Sequence, residues 1–466
     1  MVNLQSKLFS LWKVDVYPII FLAIPLILTN FAHVALTTID ILVLGTLGVK
    51  EIAAGGLAIA LFNQFRTTGT GLVTSVSNLV AEANARKDQV AIQALLVSGF
   101  LWATVAGIFF IILIFLLEKP LLWLGQDVQV IVLTVHFLTI VAPSLLPCLW
   151  FQTLRHFTVG LKYPGPLLAI TLISIALTLG LNYVLVFGKL GIPALGMTGV
   201  AITTAIVFFF SFFMFFLVVI NNKTLSVYFN LKNFNFDQIA ITSVWKLGLP
   251  IAGTYASEAG FFSILTLLIG SMGVDALAAQ TVINQMIYII FMISAGISHS
   301  ASILISEAYS VQEFQRAKRL GHIGLFIGCI AMFIIAIPYI TVPEILISWF
   351  ISAEQSTQAP IMSIMVIGLA IAALLQIFDC LQNIGNGILR GIGDTVGPFK
   401  ISIIGYWFVG LPAAYILGVT CSFSVYGVWL GLGIGLAFTA LLLIYAFNRR
   451  LRKLSEIQIS KSLKTQ

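Results

Sequence analysis

Charge is what this sequence lacks most. Only 9% of its 466 residues are Asp, Glu, Lys or Arg, against roughly 25% in a soluble domain. So few ions do not clothe a water-facing surface, which excludes a string of soluble domains and leaves lipid as the solvent for most of the chain. Cysteine is scarce as well. Cys148, Cys329, Cys380 and Cys421 are scattered without metal spacing and read as small apolar packers, not as a disulfide framework. There is no GxxxxGK(S/T) loop, HExxH, CxxC or GxSxG, so the chain is not expected to be an enzyme or an ATP-driven pump, and no resident cofactor is implied. The first apolar stretch is long, contains Pro18 and Pro25 and lacks a small-residue cleavage site, so no cleavable leader is expected.

Apolar residues fill the space, at 59% of the chain. Residues 90–117, 128–154, 195–220 and 401–448 carry no Asp, Glu, Lys or Arg at all. Each run reaches the roughly 20 residues that a spanning helix needs, and the last holds two helices broken near 420–424. Barrel strands are far shorter, and a lone span must satisfy its own backbone hydrogen bonds, so these are helices. Twelve spans are expected, at 17–46, 52–80, 90–117, 128–154, 165–187, 195–221, 240–270, 277–306, 319–341, 358–389, 398–418 and 425–447.

An even count puts both termini on one side. Of the 24 Lys and Arg, 20 fall on that side, among them Arg155 and Arg390; Lys50, Lys119 and Lys189 fall opposite, and Arg66 lies within a span. The positive-inside rule makes the termini cytoplasmic. The net charge of +7 is then topology and lipid contact, with no nucleic acid as partner.

A shift of 225 residues lays 23–88 on 248–313 without a gap. Pro25 meets Pro250, Gly48 meets Gly273, Ser75 meets Ser300 and Glu82 meets Glu307. A weaker echo at a shift of 227 pairs Phe151, Leu154 and Gly160 with Phe378, Leu381 and Gly387. The expected organisation is an all-α membrane protein of two pseudo-symmetric six-helix bundles, 1–221 and 240–448, with a cytoplasmic linker at 222–239 and a basic tail at 449–466. Parallel halves of this sort are a transporter architecture, with the site near mid-membrane.

Ions inside spans are costly and therefore informative. Once those near span ends are set aside, Asp40, Arg66, Glu258 and Asp379 remain. Asp379 heads a polar face that continues through Gln382, Asn383 and Asn386, while Gly253, Ala256, Ser257, Ala259 and Gly260 leave room around Glu258. A carboxyl in lipid loses the hydration that stabilises its charge, and an approaching cation restores that stabilisation. Such groups exchange a proton or metal ion for a cationic substrate; the alternative is an acid that only ties helices together. Arg66 reads as a structural ion pair or a snorkelling side chain, with a substrate or gating role as the alternative; pairing with Asp40 is opposed by helical rise, which sets Arg66 about 10 Å or more deeper. Glu82 and Glu307 read as a shared structural device, with cytoplasmic gating as the alternative. His33, which stands where Glu258 stands in the second half, reads as a hydrogen-bonded core histidine. Asn182, Tyr255, Gln285, Gln382 and Asn386 are expected in a substrate cavity, with interhelical hydrogen bonds an equally good account of Asn182 and Gln285.

These residues together resemble the multidrug and toxic compound extrusion (MATE) family: Pro25 followed by Asp40 and the GTLG turn, Glu258, Asp379 preceding LQNIGNGILRGIGDT, and NYVLVFG with GMTGVAITT near helices 5 and 6. The likeness spans about 10–450 and is greatest to the bacterial branch typified by Na+-coupled norfloxacin exporters. It implies two six-helix bundles in a V, and a bacterial inner-membrane antiporter, monomeric in lipid, that exports small organic cations or amphipathic drugs while Na+ or H+ enters. It also implies a monovalent cation site at Glu258 and Asp379, an N-terminal acid at Asp40 linked to protonation or drug release, and a polar neighbour at Asn182. The branch tends to place an aromatic one turn before the helix 10 acid; here that place is Leu375. A lipid-linked sugar or precursor flippase of the same superfamily is the rival, and would be expected to present several cations to pyrophosphate.

Overall fold

The computed structural model describes residues 12–117, 119, 121, 128–229, 237–349 and 359–464. Lys7 and Lys232, counted above for topology, and residues 230–236 of the expected linker lie outside the described residues. Among the described residues there is no strand and there are twelve long helices. They are α1 (Tyr17–Gly45), α2 (Val49–Ala85), α3 (Gln89–Phe115), α4 (Val128–Val141 and Leu145–Gly160 joined by a 3-10 turn), α5 (Gly165–Leu185) and α6 (Gly196–Asn221). The second set is α7 (Gln238–Gly270), α8 (Val274–Ser310), α9 (Phe314–Thr341), α10 (Ala359–Gly391), α11 (Val396–Thr420) and α12 (Ser424–Lys464). The protein is thus an all-α, multi-pass membrane protein of two six-helix sets. Among the described residues, eleven helices are long and apolar enough to cross a membrane by length and composition. The exception, α2, carries Asn63, Gln64, Arg66, Thr67 and Thr68 in mid-helix, polarity that bundle packing must shield. The basic tail from Arg449 is not a separate segment: it continues α12.

The repeat is visible in backbone geometry. Gly48 and Gly273 open α2 and α8 at φ 151° and 130°, a conformation that L side chains rarely adopt. The same helices end alike. Asp88 N–H donates to Ala83 O at 3.0 Å past Lys87 at φ 58°, and Glu313 N–H to Ala308 O at 2.8 Å past Gln312 at φ 63°. The echo at 227 is corrected to 231. Lys162 and Gly393 have φ of 59° and 75°, Tyr163 N–H donates to Thr158 O as Asp394 N–H does to Leu389 O, and Gly160 and Gly391 lie against the carbonyls of Ser77 and Ser302. The error of four residues is about one helical turn, so the wrong register shows nearly the same apolar face.

Packing groups the described chain into two compact units, Leu28–Gly253 and the remainder, which joins the residues through Ile27 to those from Thr254 onward. This differs from a division at 222–239, because the first segments of α1 and α7 are exchanged. Ser75 Oγ donates to Val244 O at 3.2 Å in one unit, and its repeat mate Ser300 Oγ donates to Ile19 O at 2.7 Å in the other. Pro25 and Pro250 sit within a turn of the two exchange points, where a missing N–H weakens the helical ladder.

Small residues set the helix spacing in both units. In Leu28–Gly253, Gly99 and Gly107 of α3 meet Val76, Thr153 and Leu146, and Gly69 of α2 meets Leu149. In the other unit Gly387 and Gly391 of α10 lie on the backbone of α8, held by Ser298 Oγ to Asn383 O at 2.8 Å and Ser306 Oγ to Gly391 O at 3.1 Å. Buried Asp15 anchors the chain start to α9 through Arg319 at 3.3 Å and Arg316 at 3.5 Å.

Candidate functional site

In the unit that contains Thr254 onward, Glu258 of α7 and Asp379 of α10 come within electrostatic reach of each other. Asp379 is only 6% exposed, and its Oδ1 has no hydrogen-bond partner. Among the described residues neither acid forms an ion pair. The nearby polar groups are equally uncommitted. Gln382 is fully buried with both amide atoms unpartnered, and Asn386 Oδ1 is buried and unpartnered. Orphaned buried polar atoms cost free energy, so a cluster of them on one helix face marks a candidate site where water or an ion would supply the missing partners. Asn383 is the exception on that face: its Nδ2 donates to Ser294 Oγ at 3.0 Å and serves the α8 contact.

A third helix contributes a residue that sequence reasoning missed. Tyr406 is fully buried, its Oη has no partner, and it lies within electrostatic reach of both Glu258 and Asp379. Its ring stacks on Phe261, one turn beyond Glu258, at 5.1 Å and 8° between planes. The next residue, Trp407, donates Nε1–H to Ser257 Oγ at 2.8 Å. Both stand on the π turn Ile404–Gly410, and Gly405, Gly410 and Gly435 let α11 approach α12 closely there. Leu375, at the place expected to matter one turn before Asp379, is buried against Gly433. Tyr255 stands half-buried three residues before Glu258, and Gln285 half-buried on α8.

The set Glu258, Asp379, Gln382, Asn386 and Tyr406 offers only oxygen and amide groups, the donors that a hard monovalent ion takes. Among the described residues no cluster of three His, Cys, Asp or Glu exists to hold a transition metal.

The unit Leu28–Gly253 holds a separate cavity, part of it open to bulk. Asp40, Arg66, His33 and Cys148 line it, between walls that include Phe62, Phe137, Phe151 and Phe208. Asp40 is already hydrogen-bonded: Thr204 Oγ1 donates to Oδ2 at 3.0 Å and Asn182 Nδ2 to Oδ1 at 3.4 Å. Arg66 does not pair with it. Among the described residues Arg66 makes no ion pair, and its Nε donates to Asn63 Oδ1 at 3.0 Å, one turn back on the same helix. An ion pair with Asp40, one of the readings of Arg66, is therefore absent among the described residues: Asp40 finds neutral donors on α5 and α6. His33 is not a hydrogen-bonded core residue either. Its Nε2 is buried without a partner and its ring meets Phe151 edge-on at 6.0 Å.

Arg155 and Arg390, counted above as charges outside the spans, are buried within the bundles. Arg155 Nη2 donates to Asn30 Oδ1 at 2.6 Å; Arg390 Nε donates to Ser302 Oγ at 3.2 Å, with Nη2 3.4 Å from His299 Nδ1. The cause is helix length: α4 runs to Gly160, six residues past the expected end at 154. Glu82 and Glu307 occupy matching helix ends, their carbonyls accepting from Arg86 and Val311 at 3.3 and 3.4 Å.

Comparison with known proteins gives one answer. A family model described as MatE matches residues 25–184 and again 250–416, the same two halves and the same starting prolines as the repeat. A protein called "Probable multidrug resistance protein NorM" from Pseudomonas aeruginosa is 32% identical over 447 residues, covering 95% of this chain and 91% of its own. A namesake from Mesorhizobium japonicum is 32% identical, covering 95% of each. Among solved structures, the eukaryotic MATE transporter AtDTX14 superposes with a TM-score of 0.83 at 20% identity, covering 95% of this chain and 98% of that one. That likeness is one of fold.

Proposed function

The chain belongs to the MatE family of membrane transporters, and on that premise we propose that it is an antiporter of the bacterial inner membrane, exporting organic drugs as Na+ or H+ enters. One observation carries this reading: half-buried Glu258 and buried Asp379 lie within electrostatic reach of each other and of Tyr406 with no cationic partner among the described residues, and the unpartnered amides of Gln382 and Asn386 continue the Asp379 face along α10. Two carboxylates in a low-dielectric site repel, and a single monovalent cation relieves the repulsion. Binding and release of that cation thus gives the bundle two states of different energy, the minimum requirement for coupling an ion gradient to a conformational cycle. Asp40, held by Asn182 and Thr204 at the wall of the aromatic cavity, is the acid that meets the organic substrate.

Charge asymmetry supports cytoplasmic termini even after Arg155 and Arg390 are removed from the count, which leaves 18 basic residues against 3. The flippase reading is weaker. Of the four buried or half-buried arginines among the described residues, Arg155 and Arg390 are committed to Asn30, Ser302 and His299 and Arg316 to Asp15 and Glu313, which leaves Arg66 for a pyrophosphate.

The test is ion replacement in vesicles reconstituted with the purified protein. Drug movement that follows an imposed Na+ gradient at fixed pH supports a metal ion at Glu258 and Asp379; movement driven by a pH gradient without Na+ assigns them protons. Movement that responds to neither gradient overturns the proposal.

A further inference from the structure

A polar file leaves the acid pair along α10. Asp379, Gln382, Asn386 and Arg390 follow one another at spacings of three or four residues and so share a face, with Arg390 about 16 Å beyond Asp379 at 1.5 Å rise per residue. Helix α8 runs beside it with a serine at every fourth position. Ser294 Oγ accepts from Asn383 Nδ2 at 3.0 Å, Ser298 Oγ donates to Asn383 O at 2.8 Å, and Ser302 Oγ accepts from Arg390 Nε at 3.2 Å. Both amide atoms of Gln382 and Oδ1 of Asn386 are buried without partners on the same face. A cation leaving Asp379 thus finds oxygen and amide groups leading toward the end of α10 that charge asymmetry assigns to the cytoplasm.

At that end stands Arg390, only 6% exposed. Its guanidinium donates to Ser302 and lies 3.4 Å from His299 Nδ1, but among the described residues it makes no ion pair. Its charge is permanent, because a guanidinium keeps its proton at any pH a cell meets. Arg390 lies in the last turn of α10, where the closing carbonyls favour a cation without neutralising it. A tie between two helices needs no charge, and lipid makes an uncompensated one costly, so a tie alone explains this arginine poorly.

We propose that Arg390 is an electrostatic barrier that closes the inner end of this file, so that the driving cation does not cross the bundle unless drug moves as well. A fixed positive charge at a narrow polar passage repels Na+ and interrupts a proton path, as cationic groups do in pores that exclude cations. The other half also buries a cation on its equivalent helix: at the shift of 231, Arg155 of α4 stands where Asn386 stands on α10, one turn from the mate of Arg390. The inference rests on the reading of Glu258 and Asp379 as the cation site; it does not depend on which cation is used.

Cation uptake into vesicles holding the purified full-length protein, under a Na+ or pH gradient and without drug, tests it. Arg390→Gln is expected to raise this drug-independent uptake about tenfold or more, as removing one charge from a low-dielectric barrier does, and to raise the number of cations taken up per drug exported. Arg390→Lys keeps the charge and is expected to stay within about twofold of the unmutated protein. Adding Asp379→Asn to Arg390→Gln removes the acid from which the file starts and is expected to abolish the leak. A leak that survives this addition comes from a loosened bundle and overturns the proposal, as do Arg390→Gln vesicles no leakier than those of the unmutated protein. Should Arg390→Gln fail to fold, Ser302→Ala removes the tether of the guanidinium while keeping its charge. A leak about two- to threefold above the unmutated protein is then expected, and unchanged uptake overturns the proposal. Failure of the underlying reading has a different signature: drug movement by the unmutated protein then follows neither gradient.

Discussion

The two halves place different chemistry at equivalent positions of one scaffold. At the shift of 225, Glu258 corresponds to His33; at the corrected shift of 231, Asp379 corresponds to Cys148. Conversely, Asp40 has Leu265 as its mate and Arg66 has Phe291, and Leu265 is a buried core residue. One half therefore keeps an acid pair with unpartnered oxygens, while the other keeps a single, hydrogen-bonded acid facing a guanidinium. The difference teaches where each ion goes. Asp40 has neutral donors that hold its charge in place, whereas Asp379 Oδ1 has none and is stabilised only by what binds there.

The largest effect that tests this contrast is expected at Asp379. Asp379→Asn keeps the shape and some hydrogen-bonding capacity of the side chain but removes its charge, so coupled efflux falls to the level of cells without the protein. Fluorescence-detected size-exclusion chromatography should still give a single folded peak. Full drug resistance in this variant would sink the assignment of the acid pair to coupling. Asp40→Asn is expected to do something different. It leaves cation binding to the purified protein, read by calorimetry, within about twofold, and weakens organic-cation binding by on the order of tenfold, as a lost charge-assisted contact does. If Asp40→Asn abolishes cation binding while Asp379→Asn spares it, the roles are reversed.

Much of this contrast was legible because lipid tolerates so little charge. The twelve helices follow from apolar runs, and Asp40, Glu258 and Asp379 stand out for the same reason. What escaped has physical causes too. Tyr406 is one of 12 tyrosines in the chain, and nothing in its local sequence marks the π turn that aims it at two acids. In sequence Arg155 marks the end of an apolar run and reads as a cytoplasmic charge, whereas α4 continues past it to Gly160. His33 reads as satisfied in sequence, since an imidazole without a partner is the rarer state and depends wholly on neighbours from other helices. The exchange of the first segments of α1 and α7 left only Pro25 and Pro250 as a trace, and a proline inside a helix does not say which bundle either side joins.

A smaller effect sharpens the account of the acid pair. Tyr406→Phe deletes one hydroxyl and retains the ring stacked on Phe261, so folding is preserved. A hydroxyl that contributes to cation binding is worth about 0.5–1.5 kcal/mol, or roughly a two- to tenfold rise in the half-saturating Na+ or H+ concentration. The maximal drug transport rate should change little. An unchanged half-saturation would confine the site to the carboxylates and amides of α7 and α10.

The smallest expected effect tests the scaffold that both halves share. Ser300 donates a single bond, of 2.7 Å, to Ile19 O, whereas Ser75 divides its hydroxyl between Leu72 O at 3.1 Å and Val244 O at 3.2 Å. Each serine ties the start of one half's first helix into the unit built mainly from the other half, so each alanine variant loosens the same kind of joint. Ser300→Ala should cost about 1 kcal/mol and lower the midpoint of thermal inactivation by about 2–4 °C, with Ser75→Ala costing less because its bond is longer and shared. Because both serines lie away from the acids, neither variant should alter ion selectivity. A larger loss at Ser75 would mean that the exchanged segment of α7 carries more of the fold than that of α1, and would break the symmetry that the repeat implies.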